Sequence, residues 1–176
     1  MRIFIALLFP DRIIHELSKM RTVLEELNIQ GNFQRNDLLH LTIHYIGETS
    51  DDFLKKIISK IKEIDFDSFL VKTGMINFFG SDKVKKVLYL EVEKNPRLLK
   101  CYHLVIEKLN ELNLNIKQID YIPHITMVRN AYPVDKEIKE LHVKALDIAI
   151  DKIHVMVSKR ENGNLIYHSL DYVDLK

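Results

Sequence analysis

His40-Leu41-Thr42 and His124-Ile125-Thr126 are two copies of one tripeptide pattern set 84 residues apart, and the segments around them repeat at the same interval. A shift of 84 carries Arg2 to Lys86, Ile3 to Val87, Asp11 to Asn95 and Asp51 to Asp135. Strand starts and helix caps therefore keep register with the motif. Two chance tripeptides do not bring their flanking elements along. The chain is expected to be an internal duplication of strand–helix–strand–helix–strand. Its lobes fall at about 1–84 and 85–176, sharing a core because no linker separates them. Pseudo-symmetric lobes set the two motif strands facing each other across a groove.

Local patterning fills in the elements. Arg2–Phe9 reads as a buried strand, and Asp11–Ile29 as a helix capped by Asp11, with Ile14, Leu17, Val23, Leu24 and Leu27 at helical spacing. Leu39–Ile46 is the first motif strand, closed by Gly47. Asp51–Ile64 is a second helix and Phe69–Phe79 a strand ending at Gly80. Lys86–Glu93 restarts the order. Asn95-Pro96 then supplies a cap and a first-turn proline for a third helix. Pro123–Arg129 is the second motif strand, Asp135–His142 a short helix, and Leu146–Lys159 is strand-like, with Ile148, Ile150 and then Ile153, Val155 and Val157 alternating. Asn162-Gly163 predicts a hairpin to Leu165–Val173.

Composition narrows the function. The chain has 176 residues, 47% of them apolar and 29% charged, as in a soluble globular protein. No apolar run reaches the roughly 18 residues of a membrane helix. Five glycines leave no room for a Walker or dinucleotide-binding loop. A net charge of +1 makes the whole surface no trap for nucleic acid, so an RNA substrate is expected to be recognised locally, at an end or short segment. The single cysteine, Cys101, sits on an apolar helix face as a structural thiol and suits a reducing cytoplasm. The chain is expected to be cytoplasmic, monomeric and free of any membrane.

Side chains alternate along a strand, so each motif presents an imidazole and a hydroxyl on one face. An imidazole both takes and gives protons near neutrality. One of His40 and His124 can remove a proton from attacking water while the other protonates a departing ribose oxygen. Thr42 and Thr126 can donate to non-bridging phosphate oxygens, and Arg129 can neutralise charge that develops there. Arg129 has the wrong parity for that face unless a bulge turns it inward. A strained 2′,3′-cyclic phosphate needs no metal for this chemistry, and no cofactor is expected. His40 and His44 share a zinc-like i, i+4 spacing but no acidic or cysteine third ligand stands nearby. Lys83, Lys85 and Lys86 form a basic patch, read as a solvated loop or an RNA-backbone contact. Phe33 and Tyr121 precede the motifs and are candidates either for base stacking or for core packing.

On these motifs the sequence resembles the 2H phosphoesterase superfamily, and within it the RNA 2′,3′-cyclic phosphodiesterases, also called 2′-5′ RNA ligase-like proteins. The resemblance rests on Arg2-Ile3-Phe4-Ile5-Ala6, Leu39–Glu48 with its Gly47-Glu48 end, Tyr121–Arg129 with Pro123, and the terminal hairpin. It implies a bilobal α+β fold in which two antiparallel sheets line a central groove with helices outside. It also implies His40 and His124 as catalytic, Thr42 and Thr126 as phosphate ligands, and Arg129 as an auxiliary. The implied activity opens RNA 2′,3′-cyclic phosphate ends to 2′-phosphomonoesters, with RNA ends or small cyclic nucleotides as substrates. The alternatives are 2′-5′ ligation of tRNA halves, hydrolysis of another small nucleotide, and a non-catalytic RNA-end-binding module. Phe33 and His44 depart from the residues usual in relatives.

Overall fold

The first strand, β1 (Arg2–Leu7), is buried along its whole length except at Arg2, because it is an interior strand covered on both faces. The computed structural model describes all residues except 82–84, 115 and 117–119. After β1 come α1 (Asp11–Glu26), a short β2 (Gln30–Phe33), a 3₁₀ turn at Asn36–Leu38 and β3 (Leu41–Glu48). Helix α2 (Asp51–Lys62) and β4 (Phe69–Phe79) complete the first half. The second half runs β5 (Lys86–Val92), α3 (Pro96–Asn110), β6 (His124–Tyr132), a 3₁₀ turn at Lys136–Glu140, β7 (Asp147–Ile150), β8 (Lys152–Glu161) and β9 (Asn164–Asp174).

Two antiparallel sheets result, one in the order β3-β1-β8-β9 and the other β2-β6-β5-β4-β7. The architecture is α+β. Each motif strand pairs with the strand that opens its own half, β3 with β1 and β6 with β5. The later strands cross over. β4 follows α2 yet pairs with β5, and β8, near the other end of the chain, pairs with β1. A cut at 84/85 therefore does not separate the sheets, since each draws strands from both halves.

The main core unites both sheets with the helices. Ile3, Ile5, Leu7, Ile153, Val155 and Val157 of the first sheet meet Ile76, Leu88, Leu90 and Ile125 of the second through Leu17, Leu24, Ile57 and Leu98 of the helices. At about 25 cal/mol per Å² of buried apolar surface, this continuous layer dominates the favourable side of folding. The other face of β1 makes a separate small cluster of Phe4, Ala6 and Met156, with Tyr167 against it. That second face is the floor of the groove.

Several local expectations are corrected. α1 is capped by Pro10 with no side-chain cap bond, and Asp11 lies in its first turn, where its charge suits the helix dipole. Ser50, not Asp51, caps α2, its hydroxyl accepting from Phe53 N. Asp135–His142 makes only 3₁₀ turns, and the expected strand 146–159 breaks at Asp151 into β7 and β8, which join different sheets. Asn95 does cap α3, accepting from Leu98 N at 2.8 Å. The β8–β9 hairpin turns on Asn162 and Gly163, both at positive φ as a type I′ turn requires.

Candidate active site

His40 immediately precedes β3 and His124 opens β6. Both imidazoles are fixed by the same device. His40 Nδ1 donates to the Leu38 carbonyl at 2.7 Å and His124 Nδ1 to the Ile122 carbonyl at 2.8 Å, in each case two residues back. A carbonyl can only accept, so each ring carries its proton on Nδ1 and keeps the Nε2 lone pair available. At His40, that nitrogen accepts from the Thr42 hydroxyl at 2.9 Å.

The two histidines line one cavity of about 360 Å³ together with Thr42 and Arg129. Aromatic rings brace both. His40 lies against Phe4 and Tyr167, with centroids 5.2 and 5.3 Å away, and His124 against Phe79 and Tyr89 at 5.0 and 5.3 Å. Burial disfavours the charged imidazolium. It lowers His40 to about 4, helped by the nearby Arg129 and His124 charges and opposed by the Leu38 carbonyl. Burial also lowers His124, again with help from Arg129 and against the Ile122 carbonyl. In the free protein both rings are therefore neutral at pH 7.

A bulge solves the parity of Arg129. Tyr89 pairs with Thr126 and Leu88 with Val128, so Met127 is an extra residue on β6. Met127 and Val128 are both buried, and Arg129 turns to the groove face. The first half repeats this. Ala6 pairs with Thr42 and Ile5 with His44, leaving Ile43 extra on β3. Ile43 and Met127 are themselves 84 residues apart. The residue delivered to the groove by the first bulge is Tyr45, the counterpart of Arg129 five positions past the histidine, and it lines the cavity while 56% exposed. Sequence reasoning missed Tyr45, although the same shift of 84 points to it. It also missed Phe4, Ser158 and Tyr167, which have no local signature and reach the cavity only through sheet pairing. The Arg129 charge beside Tyr167 counters the rise in its pKa that burial causes.

The remaining candidates fall elsewhere. Thr126 is partly exposed two residues along β6 from His124, but it is not among the residues lining the cavity. Tyr121 stacks on Tyr102 with centroids 4.4 Å apart and gives its hydroxyl to the Thr42 carbonyl at 2.8 Å. Its ring packs and tethers. Phe33 pairs with Val128 at the sheet edge and packs on the core, outside the cavity. The bulge at Ile43 leaves His44 out of the lining of the cavity that holds His40. Lys86 is no solvated patch residue: it is 5% exposed, donates to the Val134 carbonyl and lies over the Phe78 ring. Lys85 is exposed, and Lys83 lies outside the described residues. Cys101 is fully buried, which pushes its thiol up to about 12. Among the described residues no group of three or more His, Cys, Asp or Glu side chains is placed to hold a metal ion, and no helix is long and apolar enough to cross a membrane.

Two antiparallel sheets that carry a pair of braced, neutral histidines to one groove define a 2H phosphoesterase. The chain belongs to the 2′-5′ RNA ligase superfamily, whose family model matches residues 9–162. Among curated relatives it is similar to the RNA 2′,3′-cyclic phosphodiesterase of Methanocaldococcus jannaschii, at 26% identity over 130 residues that cover 73% of this chain and 71% of that one. The RNA 2′,3′-cyclic phosphodiesterase of Bacillus subtilis is also 26% identical over 130 residues, covering 69% and 71%. Among solved structures, TT0787 of Thermus thermophilus superposes with a TM-score of 0.81 at 19% identity, covering 99% of this chain and 98% of that one. E. coli LigT in its apo form gives 0.76 at 19% identity, covering 99% and 96%.

Proposed function

We propose that this protein hydrolyses the 2′,3′-cyclic phosphate at RNA ends to a 2′-phosphomonoester, with His40 and His124 dividing the proton transfers and no metal taking part. The observation that carries this reading is the matched tautomer lock, which leaves Nε2 the proton-transferring atom of both rings in one cavity. The relatives' names supply the substrate class.

The atoms balance simply. One Nε2 takes a proton from water as its oxygen bonds to phosphorus. The P–O3′ bond breaks, and the other imidazole, in its protonated form, gives its proton to O3′. Each transfer contributes about 10²–10⁴-fold. The acid must be charged beforehand, and burial opposes that in the free protein. A bound anionic phosphate reverses the balance, because a negative charge a few ångströms away favours imidazolium. Arg129 holds the non-bridging oxygens, joined by the Thr42 hydroxyl once it turns from His40 Nε2 to the phosphate and so frees that nitrogen, and Thr126 is the candidate for the same task on the second strand. Ring strain and a ribose leaving group make two such side chains sufficient, whereas an unactivated diester calls for metal ions.

The test is incubation with a short RNA ending in a 2′,3′-cyclic phosphate, with and without excess EDTA. A 2′-monophosphate product formed equally well in chelator is expected. A 3′-monophosphate, loss of turnover in EDTA, or full activity in His40→Ala or His124→Ala overturns the reading.

A further inference from the structure

The groove does not end alike on its two sides. Beyond His124, Tyr89 borders a cavity of about 260 Å³ lined by Glu91, Glu93 and Lys94, the last with its charge paired to Asp120. Beyond His40, Ser158 is shared between the catalytic cavity and a second cavity of about 400 Å³. That cavity is lined by Arg2, Lys159 and Arg160 against the single carboxylate of Glu48. One end of the groove is acidic and the other basic.

Sheet register shows that the basic cavity continues the catalytic floor. Phe4 pairs with Met156, and Arg2 with Ser158, one alternation further along the same face. Ser158 pairs with Tyr167, and Arg160 with Leu165. Two residues along a strand advance about 6.6 Å, so Arg160 stands roughly 13 Å beyond the Met156 row. Lys159 alternates to the opposite face of β8 from Ser158 and Arg160 yet lines the cavity where the strand nears its end, and it has no ion-pair partner among the described residues. Arg2 engages Glu48 through Nε at 2.9 Å, and Arg160 gives Nη1 to the Gly163 carbonyl at 3.1 Å. Both guanidiniums keep further N–H donors for an anion.

We propose that this basic cavity binds the phosphates of the RNA nucleotides immediately 5′ to the terminal cyclic phosphate, so that the chain leaves the catalytic cavity over Ser158. This rests on the cyclic phosphodiesterase reading and sharpens it: the substrate is a polynucleotide end rather than a free cyclic nucleotide. A catalytic cavity of 360 Å³ lies at the small end of ligand pockets, so phosphates of a longer chain must find their countercharge outside it. The acidic end repels them. Phosphate contacts of this kind carry affinity rather than sequence preference.

The test compares kcat/KM for 2′,3′-cyclic AMP and for a seven-nucleotide RNA ending in a 2′,3′-cyclic phosphate, in the wild type, in Lys159→Ala/Arg160→Ala and in Lys55→Ala/Lys56→Ala. The last pair removes equal charge from α2, away from the groove. The wild type is expected to prefer the RNA at least tenfold at low salt. The Lys159/Arg160 variant should lose most of that ratio through the KM for RNA, and the α2 variant should keep it. Two lost phosphate contacts should also flatten the slope of log KM against log salt by about 1.4. No preference in the wild type, or a ratio unchanged in Lys159→Ala/Arg160→Ala, overturns the proposal. Turnover of neither substrate overturns the phosphodiesterase reading instead. In that case fluorescence anisotropy with the same RNA ending in a 2′-phosphate still decides the track: binding weakened tenfold in that variant supports it, and unchanged binding refutes it.

Discussion

On the proposed mechanism His40 has two opposed tasks, to stay neutral while packed between Phe4 and Tyr167 and to exchange a proton during turnover. The packing has a consequence for stability. The unfolded chain protonates this imidazole near pH 6.5, whereas the folded protein refuses the proton until about pH 4. Its contribution is therefore complete above pH 6.5 and is lost as the pH falls towards 4. A pKa unit is worth about 1.4 kcal/mol, and the ring's partial exposure brings the difference down to about 2 kcal/mol. Urea unfolding at pH 7 and at pH 4.5 checks this. His40→Gln, which cannot titrate, should lose less stability between the two values than the wild type, and an equal loss would show that the ring is not held neutral. The same packing shapes the rate. Because both histidines are lowered in the free protein and raised again by a bound phosphate, kcat/KM, which reports the free enzyme, should peak below pH 6.5, with kcat peaking at higher pH. A pH–rate series with coincident maxima, or flat from pH 5 to 9, contradicts this account.

At the scale of elements, the bulges at Ile43 and Met127 decide which side chains reach the groove. A strand read as strict alternation sends Tyr45 and Arg129 to the core face, and only the extra residue brings them round. The repeat of 84 was legible because it is carried by residue identities. The bulges were not, because a bulge is a property of the pairing between two strands. β2 was invisible for another reason: Gln30-Gly31-Asn32-Phe33 has no alternation and is mostly exposed, so its strand geometry comes from the edge of β6 rather than from its own residues. Tyr121 illustrates the same limit. Its position ahead of the motif drew attention to it, but its task is set by α3 and β3, which supply Tyr102 to stack on and the Thr42 carbonyl to bond. Tyr121→Phe deletes that donor while keeping the stack. It should lower stability by about 1 kcal/mol, read as a lower urea midpoint with an unchanged m-value. A variant as stable as the wild type would mean the hydroxyl does not tether the strand.

For the whole molecule, the exchange of strands between halves matters more than the duplication itself. Laid end to end, the two repeats suggest two units, yet β4 completes the sheet opened by β5, and β8 and β9 complete the sheet opened by β1. A chain of residues 1–84 alone would leave β1 with only β3 as a partner and β4 with none of its neighbours. The apolar layer that joins both sheets through α1, α2 and α3 would lose about half its members. Neither half can bury its β1 or β5 on both sides without the other. The two imidazoles sit on different sheets, so the geometry of the cavity they share depends on the same interlocking. Unfolding is therefore expected to be a single transition, with calorimetric and van't Hoff enthalpies equal and with the groove lost together with the helices. Two calorimetric peaks, or an isolated fragment 1–84 with a cooperative melt of its own, would show that the lobes are energetically separate. The histidines would then be held together by a hinge rather than by a shared core.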